Sequence, residues 1–357
     1  MSTLEQRDTV TEVAPERRPR RGWLSGSWSR AGGLVVLIGL VVLAALASIA
    51  IGTKSISPSV SLDALFSFDP SIDDHLIIRE LRVPRTVLGL LIGAALGLAG
   101  AVMQGVTRNP LADPGLLGVN SGAALGVVSG IFLFDVTSLF GNLWFAFAGA
   151  AVAGVLVYLL GAMGRGGATP VKLAIAGAAL AALLGSFTAA FLLLDSATLD
   201  QYRFWAVGST AGRDLSVVSM VFPFILLGAV LALASANSLN GLALGEDVSR
   251  SLGQRVGWVR AASAASVVLL CGAATAAVGP IAFVGLTVPH VARAVTGPDH
   301  RWLLPFSMCM GSILLLVADV VGRVVARPGE LEVGIVTAFV GAPVFIAFVR
   351  RRKIVEL

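Results

Sequence analysis

The sequence predicts an all-α, polytopic membrane protein, and three observations carry that prediction. Of its 357 residues, 56% are hydrophobic and 13% charged, about half the charge with which a soluble domain covers its surface. Mean hydropathy is +0.87, and the apolar residues gather into runs of about 20, the length a helix needs to cross about 30 Å of hydrocarbon. Lysine and arginine are spread unevenly over the segments between those runs. Disorder is excluded, because it requires low hydrophobicity and high net charge, whereas the net charge here is +5. The two cysteines, Cys271 and Cys309, each lie inside an apolar run and give no disulfide framework.

Taken in order, the first run is Ala31–Ile51, behind an arginine-rich arm (Arg17, Arg18, Arg20, Arg21, Arg30). It is too long for the apolar part of a cleaved signal peptide and reads as an uncleaved first span. The next runs are Thr86–Val106, Gly115–Phe134, Leu143–Met163, Val171–Leu194 and Leu215–Ala234. They are followed by Val259–Val278, Ile281–Val295, Leu303–Val325 and Val333–Val349. About ten transmembrane helices result, the shortest being Ile281–Val295, parted from its predecessor by Gly279-Pro280. An even count puts both termini on one side, and an N-in, C-in arrangement places 18 of the 26 Lys and Arg inside, as the positive-inside rule requires. Residues 1–30 are then a disordered cytoplasmic arm, in contact with solvent or lipid headgroups. Residues 31–357 form the membrane domain.

Local signals punctuate the spans. Asp113-Pro114 and Thr169-Pro170 each set a capping side chain before a proline suited to the first helical position. Gly89, Gly93 and Gly97 strip one helix stripe of side chains and let a neighbouring backbone approach. Asn109-Pro110 and Asp113-Pro114 are turn initiators; with Gly279, Pro280 and Pro289 they are the expected structural turns.

Several chemistries have no motif to stand on. The three lysines (Lys54, Lys172, Lys353) lie in no phosphate-cradling loop, so ATP hydrolysis is not expected from this chain. Neither an H-E-x-x-H helix, a paired-cysteine metal signature nor a G-x-S-x-G elbow occurs. His290 reads as a hydrogen-bonded packing residue. Asp319 lies deep in a span, where an unpaired charge costs at least about 2.5–3.5 kcal/mol, and Arg323 one turn later can neutralise it. An ion-coupled secondary carrier remains the alternative to a transporter driven by another chain.

The longest inner loop, residues 236–257, carries a short helix opened by Glu246 and Asp247, where negative charge favours the helix dipole. Glu246 and Arg250 are four apart, in the favourable order for a pair. Leu244, Val248 and Leu252 give it an apolar side, and Gly245 and Gly253 bracket it. Two readings fit: the helix lies on the lipid interface, or it enters a groove on a soluble partner.

Four motifs as a set resemble the FecCD-type permeases, the membrane subunits of bacterial ABC importers for ferric siderophores, haem and vitamin B12. They are R-x-P-R at Arg82–Arg85, Q-x-x-x-R-N-P-L-A-D-P-x-x-L-G from Gln104, L-x-L-G-E-x-x-x-x-x-L-G from Leu242, and G-P-I-x-F-V-G-L-x-x-P-H-x-x-R from Gly279. The pattern G-x-V-T-A-x-x-G-A-P-x-F at Gly334–Phe345 agrees, so the likeness runs from about Arg82 to Arg350.

The resemblance implies a type II ABC importer permease fold in the bacterial cytoplasmic membrane. It implies a dimer with a second permease subunit, identical or paralogous, over two cytoplasmic ATPase subunits, and an extracytoplasmic substrate-binding protein. A ferric siderophore is the implied cargo, with cobalamin or haem behind it; no cofactor, metal, nucleic acid or catalytic residue is implied. Leu244, Gly245, Glu246, Asp247, Arg250, Leu252 and Gly253 would form the helix that couples to the ATPase. Arg82, Arg85 and Arg323 would meet acidic residues of the binding protein, snorkelling being the other reading of Arg82 and Arg85. Where the family often reads E-L-P, this chain has Glu330-Leu331-Glu332, so the geometry of that outer loop is not carried over.

Overall fold

The computed structural model describes residues 22–24, 26–164 and 168–350. Arg17, Arg18, Arg20 and Arg21 of the arm lie outside the described residues. Only residues 22–24 and 26–30 of the arm are described, and these depart from the expectation of disorder to residue 30. Trp23 and Leu24 donate their backbone N–H groups to the carbonyls of Ala294 and Val295, and the first helix already begins at Ser27. Ser29 supports that start by exchanging hydrogen bonds with the backbone of Gly26.

The helices are, in order, α1 (Ser27–Ala50), α2 (Pro58–Phe66), α3 (Asp73–Leu76), α4 (Val83–Thr107), α5 (Val119–Phe134), α6 (Leu139–Ala162), α7 (Pro170–Leu194) and α8 (Ser196–Ala206). They continue with α9 (Leu215–Ala234), α10 (Ala236–Ala243), α11 (Glu246–Ser251), α12 (Val256–Val278), α13 (Val284–Thr296), α14 (His300–Val325) and α15 (Val333–Arg350). A wide π-type stretch, Ile77–Arg82, leads from α3 into α4. Among the described residues, seven helical stretches are long and apolar enough to cross a membrane, and α5 and most of α15 are shorter apolar helices.

The caps behave as the side chains dictate. Asp113 accepts from the Gly115 N–H and Pro114 opens a 3₁₀ turn to Leu117, so α5 begins at Val119 instead of Gly115. Thr169 accepts from the Lys172 N–H ahead of α7. Asn109 turns the chain by accepting from the Leu111 N–H while Arg108 adopts a left-handed conformation. Gly279 (φ 81°) and Phe283 (φ 68°) carry the chain from α12 to α13, which makes α13 start three residues later than Ile281. Pro289 is not a turn: it lies inside α13. Proline cannot donate to the carbonyl four residues back, and that carbonyl, of Gly285, faces Gly100 on α4 so closely that a Cβ would overlap it.

Lipid gives helices no hydrophobic reason to associate, so close backbone packing must do it. The glycine stripe of α4 meets α14: a Cβ on Gly93 would overlap the Gly311 backbone, and one on Gly97 the Ser307 carbonyl. Around this contact α1, α13 and α4 gather on α14, while α5, α6 and α7 pack on one another. Helices α9 and α12, packed on each other and on α4, join the two groups, α12 also through α6. Gly97→Ala is therefore expected to lower the unfolding temperature of the detergent-solubilised protein, at the ~1–3 kcal/mol typical of overpacking. Gly39→Ala on α1, where a Cβ meets nothing within 4 Å, should leave it unchanged or raised.

Candidate functional site

Two polar assemblies sit at opposite ends of α14. The first surrounds Asp319, buried near the C-terminal end. Arg85 of α4 grips its carboxylate from Nε (3.0 Å to both oxygens) and Nη2 (2.8 Å), and reaches Glu330 with Nη1 (2.7 Å). Arg323, one turn along α14, holds the second oxygen at 3.0 Å, and the Thr210 hydroxyl donates to the first at 2.7 Å. Arg323 also donates to the Ser48 and Ile51 carbonyls and to the Ser48 hydroxyl. Arg82 donates to the carbonyls of Ile49 and Ala50. The C-terminus of α1, whose last carbonyls have no helical partner, is thus capped by two cations of the sign its dipole favours.

This placement corrects the expectation for Arg82, Arg85 and Arg323. They are 5%, 8% and 3% exposed, so they neither snorkel nor present a free guanidinium to a docking protein in this conformation. A charge at this depth must be paired inside the protein, and each of the three is. The Asp319–Arg323 pair, i to i+4 on one helix, is present as the spacing indicates. Its bidentate partner Arg85 is 234 positions away, and only the general need of a buried carboxylate for cations pointed to it.

The second assembly is the loop helix. Gly245 (φ 105°) and Gly253 (φ 81°) adopt conformations that favour glycine, and between them α11 runs from Glu246 to Ser251. Leu244, Val248 and Leu252 are 63%, 45% and 64% exposed, and Asp247 projects fully into solvent. Glu246 bonds Arg250 at 3.0 Å and also pairs with the buried Arg260 of α12, a contact invisible to helix periodicity. Gln254 closes the loop: its N–H donates to the Ser249 carbonyl, and its side chain fills the space a Cβ on Gly241 would need. Beneath it, Asn240 links α10 to Asp299 and His300 at the start of α14. Burial would raise the Asp299 carboxyl, but hydrogen bonds from Arg301 and Asn240 outweigh it and hold the group at about 2.

Removing one partner of a buried ion pair strands the others. Asp319→Ala is expected to destabilise the solubilised protein by about 3–5 kcal/mol, read as a large fall in unfolding temperature. Lys54→Ala, which removes the half-exposed pair with Asp74, should cost less than about 1 kcal/mol.

An arrangement with paired buried charges, an exposed apolar helix and close-packed spans fits a gate moved from outside better than a reaction centre. Comparison with known proteins agrees. The profile of the FecCD transport family matches residues 40–351. The ferric enterobactin transport system permease protein FepD of Escherichia coli (strain K12) is 47% identical over 331 residues, covering 92% of this chain and 98% of that protein. The iron(3+)-hydroxamate import system permease protein FhuB of Bacillus subtilis (strain 168) is 38% identical over 355 residues, covering 98% and 92%. A solved metal-chelate type ABC transporter in an inward-facing conformation superposes with a TM-score of 0.78 at 29% identity, covering 90% of this chain and 99% of that one. The chain belongs to the FecCD transport family.

Proposed function

We propose that this protein is the membrane permease subunit of an ABC importer that carries a ferric siderophore across the bacterial cytoplasmic membrane. The relatives named above act on ferric enterobactin and iron(3+)-hydroxamate, and the cargo assignment follows them. ATP hydrolysis belongs to a separate subunit. In this reading two permease subunits enclose the path, two ATPase subunits bind beneath and a substrate-binding protein sits above. ATP binding and hydrolysis in the partner switch the opening from one side to the other. The ion-coupled carrier finds no support among the similar proteins.

The ten-span, N-in and C-in arrangement belongs to the same reading. The seven long helical stretches together with α5, α13 and α15 supply ten crossings. α5 and α13, at about 24 and 20 Å by helical rise, need neighbours or partial crossing to complete the span. The inner position of 18 of 26 cations supports the orientation. Arg82, Arg85 and Arg323 then contribute to the outer side from within: they fix the end of α1 and the loop at Glu330, and so shape the rim on which the binding protein rests.

The observation that carries the proposal is α11 with its flanks: a short helix bracketed by Gly245 and Gly253, with Leu244, Val248 and Leu252 exposed. Such a face marks a contact surface, and of the lipid interface and a soluble partner we assign it to the second. Leu244, Gly245, Glu246, Asp247, Arg250, Leu252 and Gly253 form that contact with the ATPase. Glu246 is the wrong residue to mutate, because it also holds Arg260. Leu244→Asp with Leu252→Asp removes two apolar anchors worth about 1.5–3 kcal/mol each when buried. Co-purification of the ATPase and uptake of radiolabelled ferric enterobactin are both expected to fall at least roughly tenfold, with unfolding temperature unchanged. Retention of both would overturn the assignment.

A further inference from the structure

The loop helix is joined to the bundle at two places. One is Glu246 to Arg260, which ties α11 to α12. The other runs through α10. The Asn240 side chain uses both its ends there: Nδ2 donates to Asp299 Oδ1 at 2.7 Å, and Oδ1 lies 2.8 Å from the His300 backbone N–H and 2.9 Å from His300 Nδ1. Acceptance of the backbone N–H fixes which end of the amide is oxygen. His300 is 1% exposed, and its ring lies so close to Gly105 that a Cβ there would stand 2.6 Å from Nε2. Three helices (α10, α14 and the inner end of α4) therefore meet on two side chains.

What this junction reaches is the other end of α14. From His300 to Asp319 the helix runs 19 residues, about 28 Å at 1.5 Å per residue, notched against α4 through Gly93, Gly97 and Gly311. At its far end Asp319 holds Arg85, Thr210 and Arg323. Pro305 breaks the hydrogen-bond ladder in the second turn. Beyond it the close seam with α4 holds α14 between the loop unit and the buried ionic cluster, so displacement at one end reaches the other.

We propose that Asn240 is a positioning residue which, with Asp299 and His300, forms the joint that delivers movement of α11 to α14 and so to the ionic cluster at the opposite end. This role rests on the importer reading above. Helix α11 and helix α14 then move as one body when the ATPase binds nucleotide.

The test uses the assembled transporter in nanodiscs. Spin labels are placed at Ser251→Cys on α11, outside the residues assigned to the ATPase contact, and at Val317→Cys, both exposed, in a Cys271→Ser, Cys309→Ser background. In the parent the label separation is expected to be the same without nucleotide and after trapping with ATP and vanadate. Asn240→Asp sets a carboxylate against Asp299, and the separation should then shift on trapping. ATP hydrolysis should continue while uptake of radiolabelled ferric enterobactin falls roughly tenfold, within the usual range of coupling between distant sites. Adding Asp299→Asn exchanges the amide and the carboxylate, keeps a good cap on α14, and should restore both readouts. A merely structural role would lower the unfolding temperature of Asn240→Asp but leave its label separation the same with and without trapping. If Asn240→Asp does not assemble, Asn240→Ala removes the bonds without adding charge and should show the same shift. The proposal is overturned if the parent separation changes on trapping, or if the variants that bind ATPase match the parent. Failure of the parent to bind an ATPase would instead sink the importer reading on which the joint depends.

Discussion

The backbone contact between α4 and α14 is the constraint on which the rest of the structure hangs. Lipid offers an apolar side chain as good an environment as a neighbouring helix does, so two spans stay together only through contacts lipid cannot match. Here glycine supplies them. With Gly93 against Gly311 and Gly97 against Ser307, any Cβ would overlap backbone, and the Ser312 hydroxyl adds a bond to the Leu90 carbonyl across the same seam at 2.8 Å. Backbone cannot rotate out of the way as a side chain can. The seam therefore fixes both the separation and the axial register of the two helices.

Register matters because α14 carries polar groups at both ends. A shift of one residue along α4 would move Arg85 about 1.5 Å, enough to break a bidentate bond whose three distances lie between 2.8 and 3.0 Å. In a low-dielectric interior such a break leaves buried charge unmatched, and the penalty is several kcal/mol. Glycine packing and the ionic cluster thus enforce one another: the first makes the geometry possible, the second makes departures from it costly.

Much of this was legible in the chain. Composition and runs of apolar residues identify the spans, and local side-chain chemistry identifies the turns at Asn109, Asp113 and Thr169, because each of those signals acts over a few residues. The short helix at Glu246 was legible for the same reason. What the sequence hid was contact between distant positions. Arg82, Arg85 and Arg323 look alike on the page whether they face a partner or the interior, and only the fold brings Arg85 to Asp319 and the end of α1 to Arg82. Pro289 likewise reads as a turn until the neighbouring Gly100 shows how its helix tolerates the unpaired carbonyl at Gly285. Motif resemblance singled these residues out, but the contacts they make required the packing.

The two ties of the loop unit go to different helices. Through Glu246 and Arg260 it holds α12, whose Thr275 hydroxyl donates to the Asn120 side chain of α5 at 3.0 Å, and which packs on α6, α9 and α4. Through Asn240 it holds α14, which packs on α4 and α1. With α11 as the coupling helix proposed above and moving with α14, the tie to Arg260 brings the same movement to α12, and the bistable packing of helices turns a small displacement into a discrete change. Hydrogen-bonded polar side chains suit such ties better than close apolar packing does. They hold direction while allowing the few tenths of an ångström over which a hydrogen bond stays formed.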